Sequence, residues 1–214
     1  MRFKLTIPTK LSEIKLSQYQ KFHKTTDGSE DLEFISRQLV GIFCKLSDDV
    51  VGKIPKKDFN SIVETITKTL NLKSELITLT KHNGIQYGFI PSIENITVDE
   101  AADLDTYMGE VSKFDKAMAV LYRPTISSNN DKYLIKDYEG KGESLDLTMD
   151  LVNGALVFFY NLRKDLLSCT LNYIQKEVER KPKKYKTLEK NGDGIKTSMQ
   201  LLKGTYLPLR KLVS

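Results

Sequence analysis

The sequence predicts a mostly α-helical chain of the α+β class: a helical bundle around one long C-terminal helix, with a β-hairpin and one or two short extra strands. Three observations predict it. Over 147–179, Met149, Val152, Leu156, Phe159, Leu166, Thr170 and Tyr173 recur at three- and four-residue steps, the spacing of one helix face. On either side of His82-Asn83-Gly84, Ile77 and Leu79, then Ile85, Tyr87 and Phe89, alternate with other residues. Asn-Gly between alternating runs is the strongest short-range hairpin signal, because both residues tolerate the positive φ of a tight turn. Thr97 followed three residues later by Glu100 has the spacing of a capping box, in which each end satisfies a backbone N–H of the other.

Before these features the chain reads as follows. Residues 2–7 alternate polar and apolar (Phe3, Leu5, Ile7), the pattern of a short half-buried strand ended by Pro8. Ser17 with Gln20 has a capping-box spacing for a short helix. Asp27-Gly28 marks a turn, after which Ser29 is expected to cap a helix carrying Glu30 and Asp31 in its first turn, where carboxylates suit the positive helix end. Its apolar face is Leu32, Ile35, Leu39, Ile42, Phe43 and Leu46. Residues 47–57 form a linker holding one helical turn, and 58–70 an amphipathic helix (Phe59, Ile62, Val63, Ile66, Leu70).

Beyond the hairpin, placed near 76–90, the capping box opens a helix through Met108, which Gly109 breaks. A further helix spans 111–122 and is stopped by Pro124, with Arg123 as a cation at the negative helix end. Residues 125–143 are polar with one strand-like piece, Tyr133 to Ile135, and a Gly140-Lys141-Gly142 turn. Ser144 is expected to cap the lead-in to the long helix. Between Ala155 and Tyr160 that helix is apolar all round, as in a buried helix, but Asn161 and Arg163 follow. The run falls far short of the ~20 apolar residues of a membrane span, so none is predicted. Pro182 disfavours helix in the residue before it, which ends the helix near Lys181. One short helix, 195–202, is expected in the remainder.

The organisation that follows is one mainly helical domain over 1–181 and a basic C-terminal extension over 182–214. With 40% hydrophobic and 29% charged residues in 214, the composition is that of a folded chain rather than a disordered one. The net charge of +5 is unevenly placed: from residue 174 onward eleven Lys and Arg stand against four acids, and the rest of the chain sums to −2. No basic-then-apolar leader with a small-residue cleavage site is visible, so no secretion signal is expected. Cys44 and Cys169 sit in apolar helical surroundings and read as small buried hydrophobes.

No catalytic constellation emerges from the residues. His23 and His82 share no metal-ligand spacing with each other or with the cysteines, and a zinc site needs about four ligands. Gly140-Lys141-Gly142-Glu143-Ser144 lacks the spacing of a phosphate loop and reads as a connector. Asp99, Glu100, Asp103 and Asp105 at a helix start complement the helix end. No enzyme, cofactor or metal is therefore expected. The candidate partner-binding residues are Arg180, Lys181, Lys183, Lys184, Lys186, Lys190, Arg210 and Lys211, interleaved with Tyr185 and Tyr206. Lysines attract phosphates and aromatic rings stack on bases, so weak nucleic-acid contact is one reading of this end. An acidic protein partner is another.

Three stretches carry a resemblance. They are the hairpin running into the helix box (Gly84-Ile85-Gln86-Tyr87-Gly88-Phe89-Ile90, then Ile96-Thr97-Val98-Asp99-Glu100 and Asp103-Leu104-Asp105-Thr106-Tyr107), Lys116-Ala117-Met118-Ala119-Val120-Leu121-Tyr122-Arg123-Pro124, and Asn153-Gly154-Ala155-Leu156-Val157-Phe158-Phe159-Tyr160-Asn161-Leu162. Together, over about 75–165, they resemble a family of virion cargo and tail-assembly-chaperone-like proteins of tailed phages, including crAss-like phages. The resemblance implies a non-enzymatic phage protein, packaged in the particle and delivered with the genome, or used in the host bacterial cytoplasm to assemble the tail. Its implied partners are other virion proteins: portal, tail or capsid components. The basic extension lies outside the resemblance.

Overall fold

The computed structural model describes residues 5–92, 96–129, 132–140 and 143–180, with the backbone alone at 128, 129, 163, 165–167 and 169–180. About 54% of the described residues are helical, and they include one small four-stranded antiparallel sheet, so the class is α+β. The chain divides into two compact units, Met1–Ala155 and Leu156–Ser214.

Helices α1 (Leu16–Thr26), α2 (Leu32–Phe43), α3 (Asp48–Val51) and α4 (Lys56–Leu70) come first. The strand expected over 2–7 does not form at residues 5–7, and 2–4 lie outside the described residues. At the start of α1 the Lys15 N–H donates to Gln18 Oε1 at 3.2 Å. Ser17 does not cap it. Its N–H and hydroxyl both donate to the Asp146 carboxylate, at 2.8 and 2.9 Å, a stronger charged acceptor supplied from far along the chain. In α2 the cap is Asp31, which accepts from the Glu33 and Phe34 N–H groups, rather than Ser29. The helix therefore begins two residues later than Ser29 would place it. Leu32 falls in its first turn, 78% exposed, and the buried face is Leu39, Val40, Ile42 and Phe43. The linker turn and the amphipathic helix appear as expected, with Ile62 and Ile66 buried.

The hairpin is β1 (Leu79–His82) and β2 (Ile85–Phe89), turning at Asn83 and Gly84 with φ of 50° and 80°. Helix α5 (Val98–Tyr107) starts on the predicted box: Thr97 Oγ1 accepts from the Glu100 N–H at 3.2 Å, and Glu100 Oε2 accepts from the Thr97 N–H at 2.7 Å. A 3-10 turn (Val111–Lys113) leads into α6 (Phe114–Leu121).

The chain then does something the helical reading of 111–122 does not anticipate. It passes from α6 into strand β3 (Tyr122–Asn129) with no loop between them. Tyr122 decides the switch. Its ring is 1% exposed and meets Phe89 edge-on at 5.2 Å, and its hydroxyl donates to the Ile77 carbonyl at 2.8 Å. Arg123 and Pro124 thus belong to an inner strand, not to a helix end. Strand β4 (Lys132–Ile135) completes the antiparallel order β1-β2-β3-β4. Pro124 has no N–H for a ladder, and it sits next to a register shift between Thr125 and Ser127, the kind of position where sheets accept proline. At Gly88 an added Cβ would lie 2.5 Å from the Tyr133 ring, so the ring packs directly over that glycine.

The segment after β4 returns across the first unit. The Leu145 N–H donates to the Asp115 carbonyl at 3.0 Å, the Leu16 N–H to Leu147 at 2.8 Å, and the Met149 N–H to Ile14 at 2.8 Å. Ser144 caps nothing; its hydroxyl donates to the Asp115 carboxylate at 2.6 Å. Helix α7 (Met149–Arg180) opens in the first unit, where Met149, Leu151, Val152 and Ala155 are buried. In the second unit residues 156–160 are half-buried rather than enclosed on every side, and Phe158 and Phe159 meet edge-to-face at 5.7 Å. The expected extension 182–214 and its helix 195–202 lie outside the described residues. No helix among the described residues is long and apolar enough to cross a membrane.

Candidate functional site

Of the predicted partner-binding residues, Arg180 is the last of α7 and is described by its backbone alone. Lys181, Lys183, Lys184, Lys186, Lys190, Arg210 and Lys211 lie outside the described residues, as does the Cys169 side chain.

The polar groups of the first unit tie its elements to one another. Glu100, in the first turn of α5, meets Arg123 of β3 at 2.7 Å, with side chains only 4% and 12% exposed. Arg123 Nε is buried without a partner among the described residues. So the arginine expected to neutralise a helix end instead balances a buried carboxylate. Asp103, one turn on, accepts from the Tyr138 hydroxyl. Burial, then this bond to Asp103, pushes the Tyr138 phenol well above its ordinary range.

A second knot joins α1, α6 and the returning segment. Asp115 accepts from Gln20 Nε2 at 3.0 Å and from the Ser144 hydroxyl at 2.6 Å. Burial alone would raise its carboxyl, but those hydrogen bonds outweigh it and hold the pKa below its ordinary value. Cys44 is buried, and burial raises its thiol to about 11, far from the range of a nucleophile. His82 stands edge-on to Tyr87 at 6.2 Å on the hairpin. Among the described residues no group of three or more His, Cys, Asp and Glu is arranged to hold a metal.

One groove stands apart from these ties. It lies along α1, α2 and α3, has a volume of about 470 Å³, and is lined by Lys21, Arg37, Lys45 and Asp48 over Ile42 and Leu46. Arg37 Nε and Nη2 donate to the two Asp48 carboxylate oxygens at 3.1 and 2.9 Å. At the end of α2 the Leu46 N–H donates to the Gly41 carbonyl at 2.8 Å and the Lys45 N–H to Ile42 at 3.4 Å. That pair of bonds is a Schellman ending, which forces the residue after the cap into the left-handed region. Here the residue is Lys45, with φ of 57°. No spacing in the sequence marks Lys21 as a neighbour of Arg37 and Lys45, because α1 carries it while the other two lie on α2 and just past its end. The one local signal is a helix end at Phe43 with no glycine after it.

Comparison with family models, curated proteins and solved structures gives no match for this chain. Any functional reading therefore rests on its own residues.

Proposed function

We propose that this chain is a non-enzymatic virion protein of a tailed phage, packaged in the particle as cargo, delivered with the genome and acting by binding other virion proteins. The observation that carries this reading is where the polar side chains go. Glu100, Arg123, Asp103, Tyr138, Asp115, Ser144, Ser17 and Asp146 bind each other and thereby join elements distant in sequence. Large apolar side chains meanwhile face outward on the sheet: Ile85, Ile126 and Leu134 are 50%, 68% and 65% exposed. Polar groups consumed in scaffolding and apolar groups offered outward suit a binding protein better than a catalyst.

The resembling stretches also act as scaffold. The Asn-Gly turn, the Thr97–Glu100 box and the buried run Ala117, Met118, Val120 and Leu121 set the positions of sheet and helices. In this reading α7 is the long axis of a helical bundle, and the basic residues from Arg180 to Lys211 contact portal, tail or capsid components. The protein then resides in the virion, and in the host bacterial cytoplasm during assembly. Mass spectrometry of purified particles of the encoding phage tests it: the protein is expected in the finished particle. Detection in infected cells but not in particles would instead support a tail-assembly chaperone.

A second reading, DNA-binding accessory protein, is favoured by the clustering of positive charge from residue 174 onward. DNA binding measured at two salt concentrations tests it.

A further inference from the structure

We propose that the groove along α1, α2 and α3 is a docking site for an acidic, amphipathic peptide segment of a protein partner. This goes beyond the virion reading and is independent of the basic C-terminal end. Charge complementarity is the first argument. Lys21, Arg37 and Lys45 face one acid, Asp48, among the lining residues. Two of the Arg37 nitrogens are held on the Asp48 carboxylate, so these two charges offset each other and Lys21 and Lys45 supply the positive surplus of the lining.

The second argument is Lys45 itself. Its backbone is left-handed, a conformation that glycine adopts freely and that strains any residue bearing a Cβ. The helix ending requires that conformation, so glycine would serve the fold better. A lysine occupies the place, exposed and lining the groove. A residue that breaks a local rule at a concave, charged surface points to binding.

The lining also selects the partner's class. Ile42 and Leu46 give it an apolar floor, which suits an amphipathic segment laying hydrophobic anchors into a groove. None of the lining residues is aromatic, so it offers no platform on which bases stack.

The test uses the full chain and fluorescence anisotropy. The probe is a labelled synthetic helix of about three turns, roughly twelve residues, with glutamates on one face and leucines on the other. The same peptide with glutamine for glutamate and a labelled oligothymidine serve as comparisons. Because the variants keep the basic C-terminal end, any difference between them reports the groove. Lys45→Gly is expected to melt at a higher temperature than the parent yet bind the acidic peptide about threefold more weakly. Lys21→Gln combined with Lys45→Gly is expected to lose about tenfold, from two partly exposed charge pairs. The glutamine peptide should bind parent and variants alike. Equal affinity of parent and double variant for the acidic peptide would overturn the proposal. So would a larger loss for oligothymidine, which would make the groove a nucleic-acid site. Presence or absence of the protein in purified particles bears on neither result.

Discussion

Glu100 and Arg123 bring opposite charges to a place where neither is well hydrated, so each depends on the other. Removing one partner of a buried pair leaves an uncompensated charge and costs about 3–5 kcal/mol, whereas replacing both is often tolerated. Arg123→Met is therefore expected to lose most of the stability of a domain held by about 5–15 kcal/mol. Arg123→Met with Glu100→Gln should recover a large part of it, read from urea unfolding of the two variants. A double variant no more stable than the single one would show that the pair is not coupled. Cys44 offers a second check at this scale. Its pKa is raised from 9.0 to about 11 by burial, so the folded state favours the neutral thiol. That contribution is fully present below pH 9 and is lost as pH rises toward 11. In a Cys169→Ser background, alkylation of Cys44 at pH 8 should be slow when folded and fast in denaturant. The expectation of a buried, inert Cys44 could be formed from its apolar neighbours alone. The partner of Arg123 could not, because twenty-two residues, helix α6 among them, separate it from Glu100.

Two glycines test how the elements meet. Gly84 has φ of 80° with open space around it, so only backbone strain opposes a side chain there. Gly84→Val is expected to cost at least about 1–2 kcal/mol, the price of the left-handed region, and to lower the melting temperature by a few degrees. Unchanged melting would mean that the hairpin contributes little. Gly154 is the opposite case. It lies within helix α7, where alanine would ordinarily gain about 0.5–1 kcal/mol. An added Cβ, however, would run into the Glu75 carbonyl, its carbon at 2.9 Å and its oxygen nearer still. Overpacking against backbone costs about 1–3 kcal/mol, so Gly154→Ala should be net destabilising. Local chemistry made some of these elements legible. The Asn83-Gly84 turn and the Thr97–Glu100 box are each written within a few consecutive residues. Strand β3 was not legible, because the apolar run 117–122 fits a helix as well as a strand and Pro124 argues for a stop. What makes it a strand is the long-range pairing of Tyr122 with Phe89. Likewise the Ser17 and Ser144 hydroxyls went to distant carboxylates that no local pattern announces.

For the whole molecule, the basic end separates the functional readings. Truncation after Arg180 removes nine of the eleven basic residues counted from 174 onward. Contact through about five phosphates would make log K fall with log salt by about 0.9 per phosphate, roughly a 500-fold loss between 50 and 200 mM. The virion reading expects weak DNA binding by the full chain and loss of incorporation into particles on truncation. Tight, steeply salt-dependent DNA binding that disappears with the truncation would place the DNA-accessory reading first. A different consequence follows from the bonds between Ser17 and Asp146, which lie 129 residues apart. At about 5–20 residues per second, synthesis leaves α1 waiting roughly 6–26 seconds for its partner carboxylate to exist. Until then the Leu16 and Ile14 backbone groups that later bond Leu147 and Met149 have nothing to close on. The first unit is thus assembled late, by its last segment, and nascent chains ending at residue 140 should be degraded by protease while those reaching residue 180 resist it.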